Sequence, residues 1–237
     1  LEDLVHDPYT NIYSFVFEWV EFVDWRAVYN TFTIDDIRLY MYKLLLALDY
    51  SHSHGIMHRD IKPQNIAIDK EKQKLRLLDW GLADFYHPKQ KYNSHVATRV
   101  FKPPELLINY PYYDYSLDIW SAGLTFSIMM FKRIVLSGGK TDADQLLKVA
   151  DLVGGEGIIE YAQSLRVDLD EETLEELECR EGTGWDKFIA KAPKGMCPPD
   201  AIDLLNKMVE IDHRNRITAR DALKHPFFAP LGRSSKY

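Results

Sequence analysis

His58-Arg59-Asp60-Ile61-Lys62-Pro63-Gln64-Asn65, with Asp79-Trp80-Gly81 beginning 14 residues after Asn65, is the stretch that decides how this chain is read. It sets a carboxylate, an ammonium, an amide and a second carboxylate at spacings suited to moving a phosphoryl group. That chemistry demands positioning and charge neutralisation more than covalent catalysis. An alcohol nucleophile needs a carboxylate beside its proton, the transferred group needs a cation on its oxygens, and magnesium needs hard oxygen ligands. Asp60 can orient the hydroxyl and accept its proton, Lys62 can meet the terminal phosphate, and Asn65 and Asp79 can supply metal ligands. An isolated His-Arg-Asp is a common accident, and an aspartate in a loop often caps a turn. The full pattern, Asp60-x-Lys62-x-x-Asn65 with Asp79-x-Gly81 behind it, is far more specific.

Outward from this stretch, residues 65–69 and 74–78 read as two short strands about a polar turn, which would hold Asn65 and Asp79 rigidly. Upstream, residues 14–20 read as a strand. Thr33 can cap a helix with Asp35 and Asp36 in its first turn and Ile37, Met41, Leu44, Leu45 and Leu48 at helical spacing. It should run to about Ser53 and stop at Gly55. Downstream, Pro103 and Pro104 open a short helix at Glu105, and residues 115–131 form a long apolar one. Asp118 lies inside that apolar run, where a carboxylate is costly unless paired or hydrogen-bonded. Pro198 and Pro199 begin another helix, and Thr218 caps a last short one.

At 237 residues, 46% hydrophobic and 27% charged, the chain can build one large core. No apolar run approaches the roughly 18 to 20 residues that span a bilayer. The start, Leu1-Glu2-Asp3, lacks a signal-peptide pattern, and Cys179 and Cys197 read as free thiols of a reducing compartment. A net charge of −7 argues against nucleic acid as a partner. The acidic run from Asp168 to Glu178 reads as a solvated face; the basic stretch from Lys89 to Lys102 contains no carboxylate. Ser137-Gly138-Gly139-Lys140-Thr141 imitates the end of a Walker A loop, but Ile134 stands where glycine is required. His52, His54 and His58 read as helix-end residues rather than a zinc site.

The motifs resemble those of protein kinases: the catalytic loop H-R-D-x-x-x-x-N and the metal loop D-F-G, here with Trp80 in place of phenylalanine. Pro103-Pro104-Glu105 resembles A-P-E, and Lys62 two residues after Asp60 is similar to serine/threonine rather than tyrosine kinases. More closely, the runs from Arg76 to Pro88, Arg99 to Leu107 and Tyr113 to Ser121 resemble the catalytic α subunits of casein kinase II, with weaker similarity from about Leu1 to Phe228.

The resemblance implies a mainly α fold with a small β element, the C-terminal lobe of a kinase with most of the N-terminal β lobe absent. Residues 1–20 would be a remnant of N-lobe strands and hinge. Residues 21–237 would be the C-lobe, with catalytic loop 58–65 and activation segment 79–105. It implies transfer of the γ-phosphate of ATP, with GTP as an alternative donor, with Mg2+, to Ser or Thr in acidic protein contexts. Asp60 and Lys62 would be catalytic and Asn65 and Asp79 metal ligands. Glu18 and Val20 would bind the adenine edge at the hinge, with Ala67 (where the family usually has methionine) and Leu78 beneath the ring. Arg99 and Lys102 would face the acidic side chain just after the acceptor. Arg59, Thr98, Glu105, Asp118 and Arg216 would support the site: Asp118 holding the catalytic-loop backbone, Arg216 pairing Glu105, and Thr98 bonding Asp60 and Lys62. Acidic protein substrates, a regulatory β subunit docking through the missing lobe, no membrane or nucleic-acid partner, and a cytoplasmic or nuclear location follow from the same resemblance. No glycine-rich phosphate loop occurs, and only 59 residues precede Asp60. Either the sequence belongs to a longer enzyme, or it is a truncated, inactive kinase-like module serving as an interaction scaffold.

Overall fold

The structure is a computed structural model that describes residues 1–21 and 23–233. Its first segment is an antiparallel hairpin, β1 (Asp3–Asp7) against β2 (Ile12–Val16), in register from Asp3 opposite Val16 to Asp7 opposite Ile12. Asp7 builds the turn: its carboxylate accepts from the Tyr9 N–H at 2.9 Å and the Thr10 hydroxyl at 2.5 Å. Asn11 closes the turn at φ 57°, a left-handed conformation that asparagine tolerates.

The expected architecture, a C-lobe with one small β element left from a larger sheet, requires correction. Among the described residues, β1 and β2 form a two-stranded sheet of their own. β structure also recurs later. β3 (Ile56–Met57) pairs with β6 (Asp84–Phe85), and β4 (Ile66–Asp69) pairs with β5 (Lys74–Leu77). The last pair matches the two strands expected on either side of the polar turn.

The helices among the described residues are α1 (Trp25–Asn30), α2 (Ile34–Ser53), α3 (Pro104–Leu107), α4 (Ser116–Phe131), α5 (Asp142–Val153), α6 (Gly155–Ser164), α7 (Glu171–Glu178), α8 (Asp186–Ile189), α9 (Pro199–Met208) and α10 (Ala219–Ala222). α2 begins where the sequence directs. The Thr33 hydroxyl accepts the Asp36 N–H at 3.2 Å and the Asp36 carboxylate accepts the Thr33 N–H at 2.9 Å, satisfying two otherwise orphaned donors. α4 is buried along its whole length and packs between α2 and α9. Gly123 permits the second contact, because a Cβ there would sit 2.8 Å from a Val209 methyl and 2.9 Å from the Met208 Cβ. Leu44, Leu45, Leu48, Trp120, Phe126, Leu204, Leu205 and Phe227 are fully buried and form the centre of the core. Each such apolar side chain contributes about 1.5–3 kcal/mol by leaving water.

α5 to α8 were not read from the sequence. The acidic run proves to be partly helical: Asp170 caps α7 by accepting the Thr173 N–H at 2.8 Å, and Leu177 is buried while most of the carboxylates face solvent. No helix among the described residues is long and apolar enough to cross a membrane.

Candidate active site

Asp60, Lys62, Asn65 and Thr98 converge on a single hydrogen-bonded cluster. Asp60 Oδ2 accepts from Lys62 Nζ at 2.6 Å and from Asn65 Nδ2 at 3.0 Å. Asp60 Oδ1 accepts from the Thr98 N–H at 3.0 Å and the Thr98 hydroxyl at 2.9 Å, and Lys62 Nζ reaches the same hydroxyl at 2.9 Å. Asn65 Nδ2 also caps the Asp60 carbonyl at 2.8 Å. Burial pushes the Asp60 carboxyl up, but the Lys62 ammonium and the hydrogen bonds from Thr98 and Asn65 outweigh it and hold the group below the usual carboxylate range. Asp60 is therefore ionised and oriented at neutral pH.

A second carboxylate holds the loop from behind. Asp118 has no exposed surface, and its Oδ2 accepts the His58 N–H at 2.8 Å while Oδ1 accepts the Arg59 N–H at 2.8 Å. His52 Nε2 lies 2.9 Å from Oδ2. Burial opposes ionisation of Asp118, and the His52 contact, with His58 close by, reverses that and lowers its pKa. This grip fixes Arg59 at φ 65°, a strained conformation for a side chain of its size. The Arg59 guanidinium then spans the site: Nε donates to the Leu82 carbonyl at 2.6 Å, Nη1 to the Tyr113 hydroxyl at 3.2 Å, and Nη2 lies 3.2 Å from the Asp84 carboxylate.

His58 links the two loops. Its Nδ1 accepts the Asp60 N–H at 3.2 Å and its Nε2 faces the Leu78 carbonyl at 3.0 Å. An amide N–H only donates and a carbonyl only accepts, so the ring is the neutral Nε2–H tautomer. Burial lowers its pKa and favours that state. Leu78 in turn donates its N–H to the Asn65 carbonyl at 2.8 Å. The residue before Asp79 is thus pinned to both ends of the catalytic segment. Asp79 adopts φ 58° and is exposed, its Oδ1 accepting the Gly81 N–H at 3.3 Å. Trp80 packs against His58 with ring centroids 4.6 Å apart.

Glu105 and Arg216 form a bidentate pair at 2.7 and 2.9 Å with neither side chain exposed. Arg216 also donates to the Ser116 and Glu210 carbonyls, both at 2.9 Å. The Glu18 carboxylate pairs with Lys74 at 2.5 Å and with Arg76, both on β5, and Arg76 stands opposite Ala67 in the β4–β5 register. Among the described residues no backbone hydrogen bond engages Glu18 or Val20. Ala67 is buried and Leu78 partly so. Large cavities lie elsewhere, one of about 900 Å³ beside Tyr42 and Phe228 and one of about 740 Å³ beside Tyr50 and Trp80.

Sequence reading missed two partners. His52 is a helix-end residue as expected, yet it also contacts Asp118. Asp142 pairs with both Arg99 and Lys102, at 3.4 and 2.7 Å. Nothing near Asp142 in sequence marks that role; the pairing spans 40 residues or more.

Magnesium fits the oxygen atoms present. The Asn65 amide nitrogen is committed to Asp60, which leaves its oxygen for a ligand, and the Asp79 carboxylate is accessible. Among the described residues no group of three His, Cys, Asp or Glu side chains could hold a metal. Magnesium is commonly bound by one or two protein oxygens together with phosphate oxygens.

A protein kinase domain family model matches residues 1–228, and the chain belongs to the protein kinase family. The match begins at the first residue and takes in the β1–β2 hairpin. The reading of the chain as a C-terminal lobe with most of its β lobe absent is withdrawn on that ground.

Proposed function

We propose that this protein kinase domain transfers the γ-phosphate of ATP to serine or threonine in acidic protein contexts, in the manner of casein kinase II. The observation that carries the reading is the Asp60 cluster, in which Lys62 Nζ lies 2.6 Å from the carboxylate and 2.9 Å from Thr98. A lysine in that position leaves room for an aliphatic hydroxyl beside Asp60 and brings a cation to where the transferred group would arrive.

Magnesium-ATP, when bound, supplies the phosphoryl group and neutralises charge on its oxygens. The chain's own residues do the rest. Asp60 accepts a hydrogen bond from the substrate hydroxyl and takes its proton. With its pKa held low it is ionised at neutral pH and ready to accept that hydrogen bond. Lys62 stabilises negative charge on the transferring group. Asn65 and Asp79 would hold the metal, and the backbone groups of Glu18 and Val20 would meet the adenine edge above Ala67 and Leu78. Arg99 and Lys102 attract the acidic residue that follows the acceptor. Thr98, Arg59, Asp118, Glu105 and Arg216 position these groups without touching substrate.

A peptide array tests the assignment. Transfer from magnesium-ATP by the intact protein should favour Ser and Thr over Tyr and carboxylates after the acceptor. Preference for tyrosine, or for basic flanks, would overturn it.

A further inference from the structure

Two cations read as substrate-binding already share a carboxylate from within the chain. Asp142 Oδ2 lies 2.7 Å from Lys102 Nζ, and Asp142 Oδ1 lies 3.4 Å from Arg99 Nε. The Lys102 side chain is 7% exposed, Asp142 27% and Arg99 46%. Lys102 is thus buried, while the Asp142 carboxylate and Arg99 remain partly open to solvent. No other carboxylate among the described residues pairs with either cation.

Asp142 is not held there by a duty to its own helix. α5 is capped by its neighbours: the Thr141 hydroxyl accepts the Asp144 N–H at 3.0 Å, and the Asp144 carboxylate accepts the N–H groups of Thr141 and Lys140, each at 3.0 Å. A carboxylate in a first helical turn gains only a few tenths of a kcal/mol to about 1 from the helix dipole. Among the described residues, the Asp142 carboxylate's hydrogen-bond and ion-pair partners are Arg99 and Lys102.

We infer that Asp142 is a specificity-determining residue: a tethered carboxylate that takes the place of an acidic substrate side chain between Arg99 and Lys102 and weakens the enzyme's selectivity for acidic sequences. The inference rests on the phosphotransfer reading above. A group attached to the chain competes at an effective concentration no free peptide matches. An incoming carboxylate must displace Asp142 from Lys102 or share the two cations with it. Two cations and one carboxylate leave the cluster a single net positive charge, against two once Asp142 is neutralised.

The test uses the intact protein and two peptides that differ only in having Asp or Ala just after the acceptor serine. The ratio of their kcat/KM values is the readout. Asp142→Asn should raise the Asp/Ala ratio about three- to fivefold, the upper range for one partly exposed charge contact, and added salt should shrink the gain. Asp142→Ser, which suits a helix N-terminus, should do the same, whereas Asp142→Glu should keep a ratio close to wild type. Glu71→Gln, a charge removal in the exposed β4–β5 turn, should leave the ratio alone. An Asp/Ala ratio that moves less than twofold in both neutral variants overturns the inference while leaving the kinase reading intact. If no variant transfers phosphate, the kinase reading fails, and peptide affinity by fluorescence anisotropy decides the inference. Tighter binding of the Asp peptide to Asp142→Asn supports it, and equal binding overturns it.

Discussion

Replacing Asp118 with asparagine tests how the catalytic loop is held. The Asp118 carboxylate receives the His58 and Arg59 N–H groups, each at 2.8 Å, and faces His52 Nε2 at 2.9 Å, with no exposure to solvent. An asparagine offers one oxygen and one NH2. Whichever way the amide turns, one backbone N–H meets another donor. Leaving a buried donor unsatisfied costs about 1–3 kcal/mol, and losing the charge from the remaining bonds costs about 1–2 kcal/mol more. Asp118→Asn should therefore destabilise the protein by about 2–5 kcal/mol, a large share of the roughly 5–15 kcal/mol that folded domains possess. Urea unfolding should show a lower midpoint at unchanged slope. Amide exchange at His58 and Arg59 should accelerate more than in the α4 core, because the strained Arg59 backbone is free to relax. A loss below about 0.5 kcal/mol with exchange unaltered at both amides is smaller than any single lost buried hydrogen bond allows, and would refute the claim that Asp118 holds the loop.

The other predictions concern separate parts of the molecule. Arg216→Ala leaves Glu105 charged in a fully buried site and should cost about 3–5 kcal/mol, whereas Arg216→Met combined with Glu105→Leu should recover most of that loss in thermal unfolding. Asn65→Ala should raise the magnesium concentration needed for half-maximal transfer more than it raises KM for peptide, as a magnesium titration would show. Burial lowers the Lys132 pKa to about 8, from an ordinary value near 10.5. Between those values the unfolded chain binds more protons than the folded one, so stability should rise with pH from about 8 upward. That rise should disappear in Lys132→Met when urea midpoints are compared at pH 7.5 and 9.5.

Much of this site was legible because it is local. Asp60, Lys62 and Asn65 lie within one short loop, and β4 and β5 follow from short apolar runs about a polar turn, so spacing alone implies their convergence. Asp118 was legible for a different reason: an isolated carboxylate in an apolar helix has to find partners. Its His52 contact was not legible, because the two residues are 66 positions apart and nothing in either segment specifies the other. Asp142 was hidden in the same way, on a helix whose capping residues drew no notice. The β1–β2 hairpin was misread because the aromatic run suggested a strand running to Val20. The Asp7 turn and the partner strand instead set the register, and β2 ends at Val16. The carboxylates of α7 do face solvent, as their density implies, but the helix itself is not legible because they outnumber the one leucine it buries.

Radiolabelled phosphate transfer from magnesium-ATP to an acidic serine peptide, by the intact protein and its Asp60→Ala variant, tests the central claim most directly. The site described here predicts transfer by the wild type and a fall of about 10²–10⁴-fold in kcat for Asp60→Ala, with the peptide still bound. Equal rates for the two proteins, or no transfer by either, would contradict it.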